Sequence, residues 1–381
     1  MNQATVEFRH VSKQYGPETA AVVDLSLLVP AGDICVLVGP SGCGKTTSLK
    51  MVNRLVEPTS GQVLIDGQDV MTVDLTELRR GIGYVIQQVG LFPHQTIAEN
   101  VGTVPRLLGW PRARIQRRTE ELLELVGLDP ATLRNRYPSQ LSGGERQRVG
   151  VARAMAAEPP VMLMDEPFGA VDPIVRERLQ NEFLRLHRTQ GTTVLFVTHD
   201  IDEAIKMGTR VAVMQVGGHL AQYAPPTELL AHPASDFVSR FVGTDRGLKR
   251  LSLLRVADVR LEPGVVAHVG EAVASVRRRA LEGEASWVLL LNEREAPLGW
   301  IKASQLSALD GTLSAEFVDA SSPLVHLETT LRDALSMLLT SAVQTAVVVD
   351  ERGQFSGMLT FDELGMAFRS DPEPEAATAS A

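Results

Sequence analysis

One run of residues constrains this chain more than any other: Gly39-Pro40-Ser41-Gly42-Cys43-Gly44-Lys45-Thr46, which fits the phosphate-loop pattern G-x-x-x-x-G-K-[ST]. The apolar segment Ile34–Val38 precedes it, and a helical pattern follows Thr46 and Thr47. Glycines let successive backbone N–H groups turn inward around phosphate oxygens. The N-terminus of the following helix adds a partial positive charge. Lys45 is then placed to reach β- and γ-phosphates, and the Thr46 hydroxyl to ligate Mg²⁺. Such a loop needs a buried strand on one side and a helix on the other, so this part of the chain must be an α/β sheet domain.

Further apolar runs agree. Gly83–Ile86, Val161–Met164 and Thr193–Val197 read as strands buried on both faces, hence parallel. Val6–Phe8 and the alternating Val23–Leu27 read as half-solvated antiparallel strands. Helical patterns follow Thr46 and cover Ala113–Val126, Glu145–Ala156 and Ile174–Thr189. The 381 residues, at about 150 per domain, allow two or three domains. Hydrophobic content of 44% with 22% charged residues excludes wholesale disorder and a disulfide scaffold. No apolar run is long enough to span a bilayer, and Glu7, Arg9 and His10 break any signal-peptide core. Cys35 and Cys43 read as free thiols. A net charge of −9 argues against nonspecific nucleic-acid binding.

Val161-Met162-Leu163-Met164-Asp165-Glu166 supplies a complementary acidic site. An apolar strand ending in carboxylates sets them at a sheet edge beside the phosphate loop. Asp165 is placed to hold Mg²⁺ and Glu166 to orient or activate an attacking water. Together the two motifs indicate a nucleotide triphosphatase.

Leu141-Ser142-Gly143-Gly144-Glu145-Arg146-Gln147 narrows the reading, because Ser142 can cap a helix whose glycines expose N–H groups to an anion. LSGGERQR closely resembles the signature of ATP-binding cassette (ABC) proteins, and the resemblance covers residues 1–243. It implies an ABC ATPase domain with an antiparallel β subdomain and a helical subdomain. It implies ATP and Mg²⁺ as ligands, with Tyr15 stacking on adenine and Gln87 sensing Mg²⁺ beside Thr46 and Asp165. It makes Asp172, in Phe168–Asp172, the residue that faces a second subunit, and His199 the switch that contacts the γ-phosphate. Lys45, Glu166 and His199 then form the catalytic set. Ser142, Gly143 and Gly144 meet the ATP of a second copy, so the resemblance implies a head-to-tail homodimer that drives separate permease subunits from the cytoplasmic face of the membrane.

Near Gly243 the chain changes character. Trp287–Leu306 aligns without gaps on Thr345–Leu364 at an offset of 58 residues: a strand, a turn at Asn292 or Asp350, a second strand opened by Gly299 or Gly357, then a helix start. Amphipathic stretches, Ala272–Leu281 and Leu331–Leu339, precede the two copies. Repeats of this kind pair to share a core. They resemble tandem CBS domains, set at 244–310 and 311–369, with 370–381 as a disordered acidic tail. Where such modules hold ribose with Ser/Thr and Asp three residues on, this chain has Thr360 with Glu363, and Lys302 with Gln305. Residues 246–381 carry 13 Lys and Arg against 19 Asp and Glu, most of the net negative charge. The exception is the basic run Arg277-Arg278-Arg279, which reads as a solvated helix face.

An ABC ATPase followed by a CBS pair resembles the importers of glycine betaine, choline, carnitine or proline. Ile82–Gln88 with Leu91-Phe92-Pro93-His94, and Phe241–Lys249, are typical of that subfamily. The expectation is an importer ATPase for a quaternary amine, served indirectly by a solute-binding protein and regulated by the CBS pair through a nucleotide or ionic strength. The alternatives are an importer ATPase for an amino acid or other solute, and a non-transport ABC ATPase. The last usually carries two cassettes, whereas this chain has one phosphate loop and one LSGGE.

Overall fold

A computed structural model of the protein describes residues 3–16, 19–86, 90–169 and 171–369. The chain divides into two compact units, meeting at Gly243 and Thr244. Each is described separately.

The first unit opens with two long antiparallel strands, β1 (Val6–Gly16) and β2 (Thr19–Val29), then β3 (Ile34–Val38) and, after the phosphate loop, helix α1 (Lys45–Val52). β4 (Ser60–Ile65) and β5 (Gln68–Asp69) complete a four-stranded sheet in the order β2-β1-β4-β5. Leu25, Leu27 and Val29 of β2 are buried in alternation. Toward its start the face that turns inward is that of Val22, not Val23. Asp24 takes a left-handed φ of 50°, which slips the pleat by one residue.

β6 (Ile82–Val85), β7 (Val161–Asp165), β8 (Thr193–Thr198), β9 (Arg210–Gln215) and β10 (His219–Ala224) join β3 in a six-stranded sheet, order β10-β9-β3-β8-β7-β6. All pairs are parallel except the edge hairpin β9–β10. Every residue of β3, β7 and β8 is buried, as expected of continuous apolar runs between covering layers. A helical block sits between β6 and β7: Ile97–Val101, Thr103–Leu107, α2 (Arg112–Leu125), Pro130–Leu133 and α3 (Gly143–Met155). α4 (Pro173–Gln190) links β7 to β8, and α5 (Ile201–Met207) links β8 to β9. Strand order therefore changes direction at β3, whose carboxyl end carries the phosphate loop. Open α/β sheets bind ligands at such a switch point.

The second unit holds two three-stranded sheets of the same form. β11 (Val266–His268) pairs parallel with β12 (Trp287–Leu291), which pairs antiparallel with β13 (Pro297–Lys302). β14 (Leu324–His326), β15 (Thr345–Val349) and β16 (Phe355–Thr360) repeat the arrangement. α6 (Val273–Glu282) and α7 (Leu331–Thr340) occupy equivalent places, and α8 (Phe361–Arg369) closes the second copy. After β13 the first copy has only a short 3₁₀ turn, Gln305–Ser307, where the repeat alignment predicts a helix start. Asp310-Gly311 turns the chain there, with φ of 84° at Gly311, whose carbonyl accepts from Val273.

The copies also exchange arms, which a boundary at residue 310 misses. Leu251 and Val256, with Leu254 and Leu261 beside them, pack into the second copy's core. Leu313, Phe317 and Val318 pack into the first. Glu262 bridges Met358, and Ala320 bridges Trp300, the same contact 58 residues apart. The two glycines at equivalent places exist for this crossing. A Cβ on Gly299 would lie 2.4 Å from Val318 Cγ1, and one on Gly357 2.7 Å from Leu261 Cβ. Leu289, Leu291, Trp300, Val347, Val349 and Met358 form one cluster joining the sheets. The basic run is largely used internally. Arg277 donates to the carbonyls of Leu306 at 2.9 Å and Leu309 at 2.8 Å, and Arg279 pairs with Glu271.

Candidate active site

The phosphate loop is shaped by close backbone approach. Gly39 and Gly44 have φ of 154° and 96°. A Cβ on either would fall 2.3 Å from the Met214 carbonyl or 2.2 Å from the Ala21 carbonyl. Gly42, with φ of 79°, has nothing within 4 Å of a built Cβ, so its need is conformational. Lys45 is buried, with Nζ donating to the carbonyls of Gly39 at 2.7 Å and Pro40 at 2.9 Å. Cys43 Sγ lies 3.6 Å from the same ammonium. Pro40 and Ser41 complete the rim, and Thr47 is partly buried on α1.

The acidic end of β7 faces this loop. The Thr46 hydroxyl donates to Asp165 Oδ1 at 3.0 Å, joining residues 119 positions apart. Asp165 is buried. Desolvation pushes its carboxyl above the ordinary range, and the Thr46 bond partly opposes this. A buried carboxylate hydrogen-bonded to the hydroxyl that ends the phosphate loop is a hard-oxygen donor pair suited to Mg²⁺. Glu166 follows in a left-handed conformation, φ 47°, its N–H held by the Val197 carbonyl at 3.0 Å. A glutamate in this region carries backbone strain, of the kind that accumulates at functional sites. Its Oε1 lies 3.1 Å from His199 Nδ1. Lys45, Thr46, Asp165, Glu166 and His199 thus gather at the carboxyl ends of β3, β7 and β8.

Ser142 caps α3. Its Oγ accepts from Glu145 N at 3.2 Å, and Glu145 Oε2 accepts from Ser142 N at 2.7 Å. Those bonds hold the Glu145 carboxyl below its ordinary range. Gly143 and Gly144 are the first residues of the helix, so their N–H groups have no intrahelical acceptor. Asp172 caps α4, accepting from Val175 N at 3.2 Å. Tyr15 is 60% exposed, with Lys13 Nζ 5.3 Å from its ring centroid. Gln87 lies outside the described residues. Two features were not legible in the sequence: the Met214 carbonyl of β9 as the back wall of the loop, and the left-handed turn at Glu166. Among the described residues, no helix is long and apolar enough to cross a membrane.

This geometry can cradle a polyphosphate, hold a hard cation, and set a carboxylate–imidazole pair beside the terminal phosphate. The sequence profile of the ABC transporter family matches residues 22–169. The osmoprotectant import ATP-binding protein OsmV of Salmonella typhimurium is 45% identical over 364 residues, covering 94% of this chain and 95% of that protein. The chain belongs to the ABC transporter family. It is an ATP-binding subunit of that family, an ATPase. The glycine betaine/carnitine/choline transport ATP-binding protein OpuCA of Bacillus subtilis is 40% identical, covering 93% of this chain and 94% of the relative. Both alignments extend through the second unit. A solved dimeric ABC cassette, MJ0796, in a post-hydrolysis state bound to ADP and Pi, matches at a TM-score of 0.53. It shares 34% identity, over 58% of this chain and 98% of that one.

Proposed function

We propose that this ABC subunit hydrolyses ATP to energise import of an osmoprotective quaternary amine, of the glycine betaine, choline, carnitine or proline class, through separate permease subunits. One observation carries the reading: relatives named for that transport align over nine-tenths of both chains, second unit included. The alternative is an importer ATPase for another solute, such as an amino acid.

In this proposal the inward N–H groups of Gly39 to Thr46 bind the phosphates of ATP, and Lys45 leaves the Gly39 and Pro40 carbonyls to neutralise β- and γ-phosphate charge. Thr46 and Asp165 hold Mg²⁺, with Gln87 added on the family resemblance. The ion supplies charge neutralisation on the phosphate oxygens. Glu166 orients and deprotonates the attacking water. His199 steadies Glu166 and contacts the γ-phosphate, and Tyr15 offers its exposed ring to adenine. The free N–H groups of Gly143 and Gly144, with Ser142, take the ATP of a second copy, so two nucleotides close a head-to-tail dimer. ATP favours closure by contacts made only in the closed state. The subunit sits peripherally on the cytoplasmic face of the membrane, with a solute-binding protein acting through the permease.

The second unit, a CBS-like pair, regulates rather than powers this cycle. Its ribose positions are filled from within. Glu363 accepts the Thr360 N–H at 3.1 Å and the Thr360 hydroxyl, and Asp319 accepts Lys302 N–H at 3.1 Å and Gln305 Nε2 at 2.9 Å. That favours ionic strength over an adenosine ligand, since salt screens an acidic module beside anionic lipid within about 10 Å. The test is uptake of labelled glycine betaine, choline, carnitine, proline and a panel of amino acids by cells whose permease depends on this subunit, with Lys45→Ala as the inactive control. Uptake of a quaternary amine that vanishes in the control supports the reading. Uptake of amino acids alone establishes the alternative.

A further inference from the structure

Glu166 keeps a left-handed φ of 47°, and strain of that kind persists only where the surroundings over-determine it. One restraint is the bond from its N–H to the Val197 carbonyl of β8, at 3.0 Å. On the other side the Gly169 N–H donates to the Glu166 carbonyl at 3.2 Å, closing a turn whose middle residues are Pro167 and Phe168. Phe168 is 2% exposed. Its ring centroid lies 6.0 Å from that of Phe196, the neighbour of Val197 on β8. Both sides of the strained residue are therefore fixed to one stretch of a central strand. Pro167 and Phe168 also line a cavity of only about 10 Å³ with Val151 and Met155 of α3 and Leu179 and Phe183 of α4. All four of these partners are buried. Each pair is spaced four residues apart and so stands on one face of its helix. Phe168 thus sits where β8, the helix that Ser142 caps and the helix that Asp172 caps come together.

We propose that Phe168 is a positioning residue for Glu166, and that through it α3 sets the catalytic carboxylate. That helix carries Gly143 and Gly144 at its start and Met155 at its end, about 20 Å apart along a rigid rod. The ATP of a second copy, bound at the start, therefore bears on Val151 and Met155, on the Phe168 ring, and on the turn that orients the Glu166 side chain. Close-packed side chains have little room to absorb such a displacement, so they pass it on. Closure and hydrolysis then belong to separable parts. The cap of α3 makes the closed dimer, and Phe168 makes the base of the same subunit respond to it. The inference rests on the readings of Glu166 as the base and of Ser142 as the contact to a second copy. Loss of the ring leaves ATP binding intact, because the phosphate loop follows another strand, β3. It slows the chemical step, where small misplacements cost up to about 100-fold.

The test uses full-length protein, with ATP hydrolysis, ATP binding and ATP-induced association measured on each variant. In Phe168→Leu, which removes the ring but keeps an apolar side chain, kcat falls about 10- to 100-fold. Its single-subunit ATP affinity and its dimerisation in Mg-ATP are kept. Phe168→Met recovers most of the rate, since an unbranched apolar chain refills the gap. Val151→Ala reproduces part of the loss from the helix side, and stands in for Phe168→Leu should that variant fail to fold. In single turnover, Phe168→Leu/Glu166→Gln is no slower than Glu166→Gln alone, as expected when one residue acts through the other. Wild-type kcat in folded Phe168→Leu, or in Val151→Ala where it stands in, overturns the proposal. So does a loss of dimerisation in step with hydrolysis, the mark of a general packing defect, and so do losses that multiply in the double variant. Wild-type turnover in Glu166→Gln overturns the reading of Glu166, and normal dimerisation of Ser142→Ala the reading of the cap; either takes this proposal with it.

Discussion

Gly357→Ala will destabilise the second unit by more than its backbone conformation alone explains. The residue has φ of 153°, where a Cβ is strained at a cost of about 1–3 kcal/mol. The added methyl would also lie 2.7 Å from Leu261 Cβ and 3.1 Å from its Cδ1, against an optimal carbon separation of about 3.5–4.0 Å. The Cβ of Leu261 cannot rotate aside, so the arm itself must move. Moving it stretches the two bonds between Glu262 and Met358, 2.9 and 2.8 Å long. Overpacking of this kind costs about 1–3 kcal/mol, giving a total of about 2–6 kcal/mol. The comparison is Gly353→Ala, where φ is 77° but nothing lies within 4 Å. Urea unfolding is followed by tryptophan fluorescence, since Trp287 and Trp300 both lie in this unit. Gly357→Ala should lose about 1–3 kcal/mol more than Gly353→Ala. Equal losses would refute the arm exchange as the reason for the glycine.

Asp165→Asn should raise the melting temperature of nucleotide-free protein at neutral pH while reducing stabilisation by Mg-ATP. Burial raises the folded pKa of Asp165, so the ionised form opposes folding above the unfolded pKa. That penalty fades as pH falls through the folded pKa. The melting difference between variant and wild type should therefore shrink on acidification, and a difference that grows contradicts the assignment. Lys45→Ala should weaken ATP binding itself, measured by titration at low salt; unchanged affinity would show that the ammonium stays on the Gly39 and Pro40 carbonyls. Ser142→Ala should cost about 1 kcal/mol of cap stability, leave ATP binding by single subunits intact and abolish ATP-induced dimerisation. Dimerisation at the wild-type nucleotide concentration would count against Ser142 facing a second copy.

The catalytic unit was legible because its determinants are local. The phosphate loop, the strand ending in Asp165 and the cap at Ser142 are each written in a few consecutive residues, and continuous apolar runs mark β3, β7 and β8 as central. What escaped depends on contacts between distant segments. The Met214 carbonyl of β9, which requires Gly39 to lack a side chain, reaches it from a distant stretch of the sequence. The slip of β2 at Asp24 hides in an alternation that looks unbroken. In the second unit the repeat was plain, but the exchange of arms was not. The apolar residues Leu251 to Leu261 carry no mark of which copy's core they enter. Gly299 and Gly357 were visible as a matched pair, and only the crossing of Val318 and Leu261 over them gives the physical reason.

The central claim is that Glu166, held in a strained turn beside His199 and Asp165, activates water against ATP bound in the phosphate loop. The most direct measurement is hydrolysis and ATP-dependent association of Glu166→Gln beside wild type. A positioned base contributes about 10²–10⁴-fold, so turnover should fall by that factor while ATP affinity is kept. With hydrolysis blocked, size-exclusion chromatography in Mg-ATP should show a stable dimer that ADP does not support. Wild-type turnover in the variant, or a protein that stays monomeric with saturating ATP, would contradict the account.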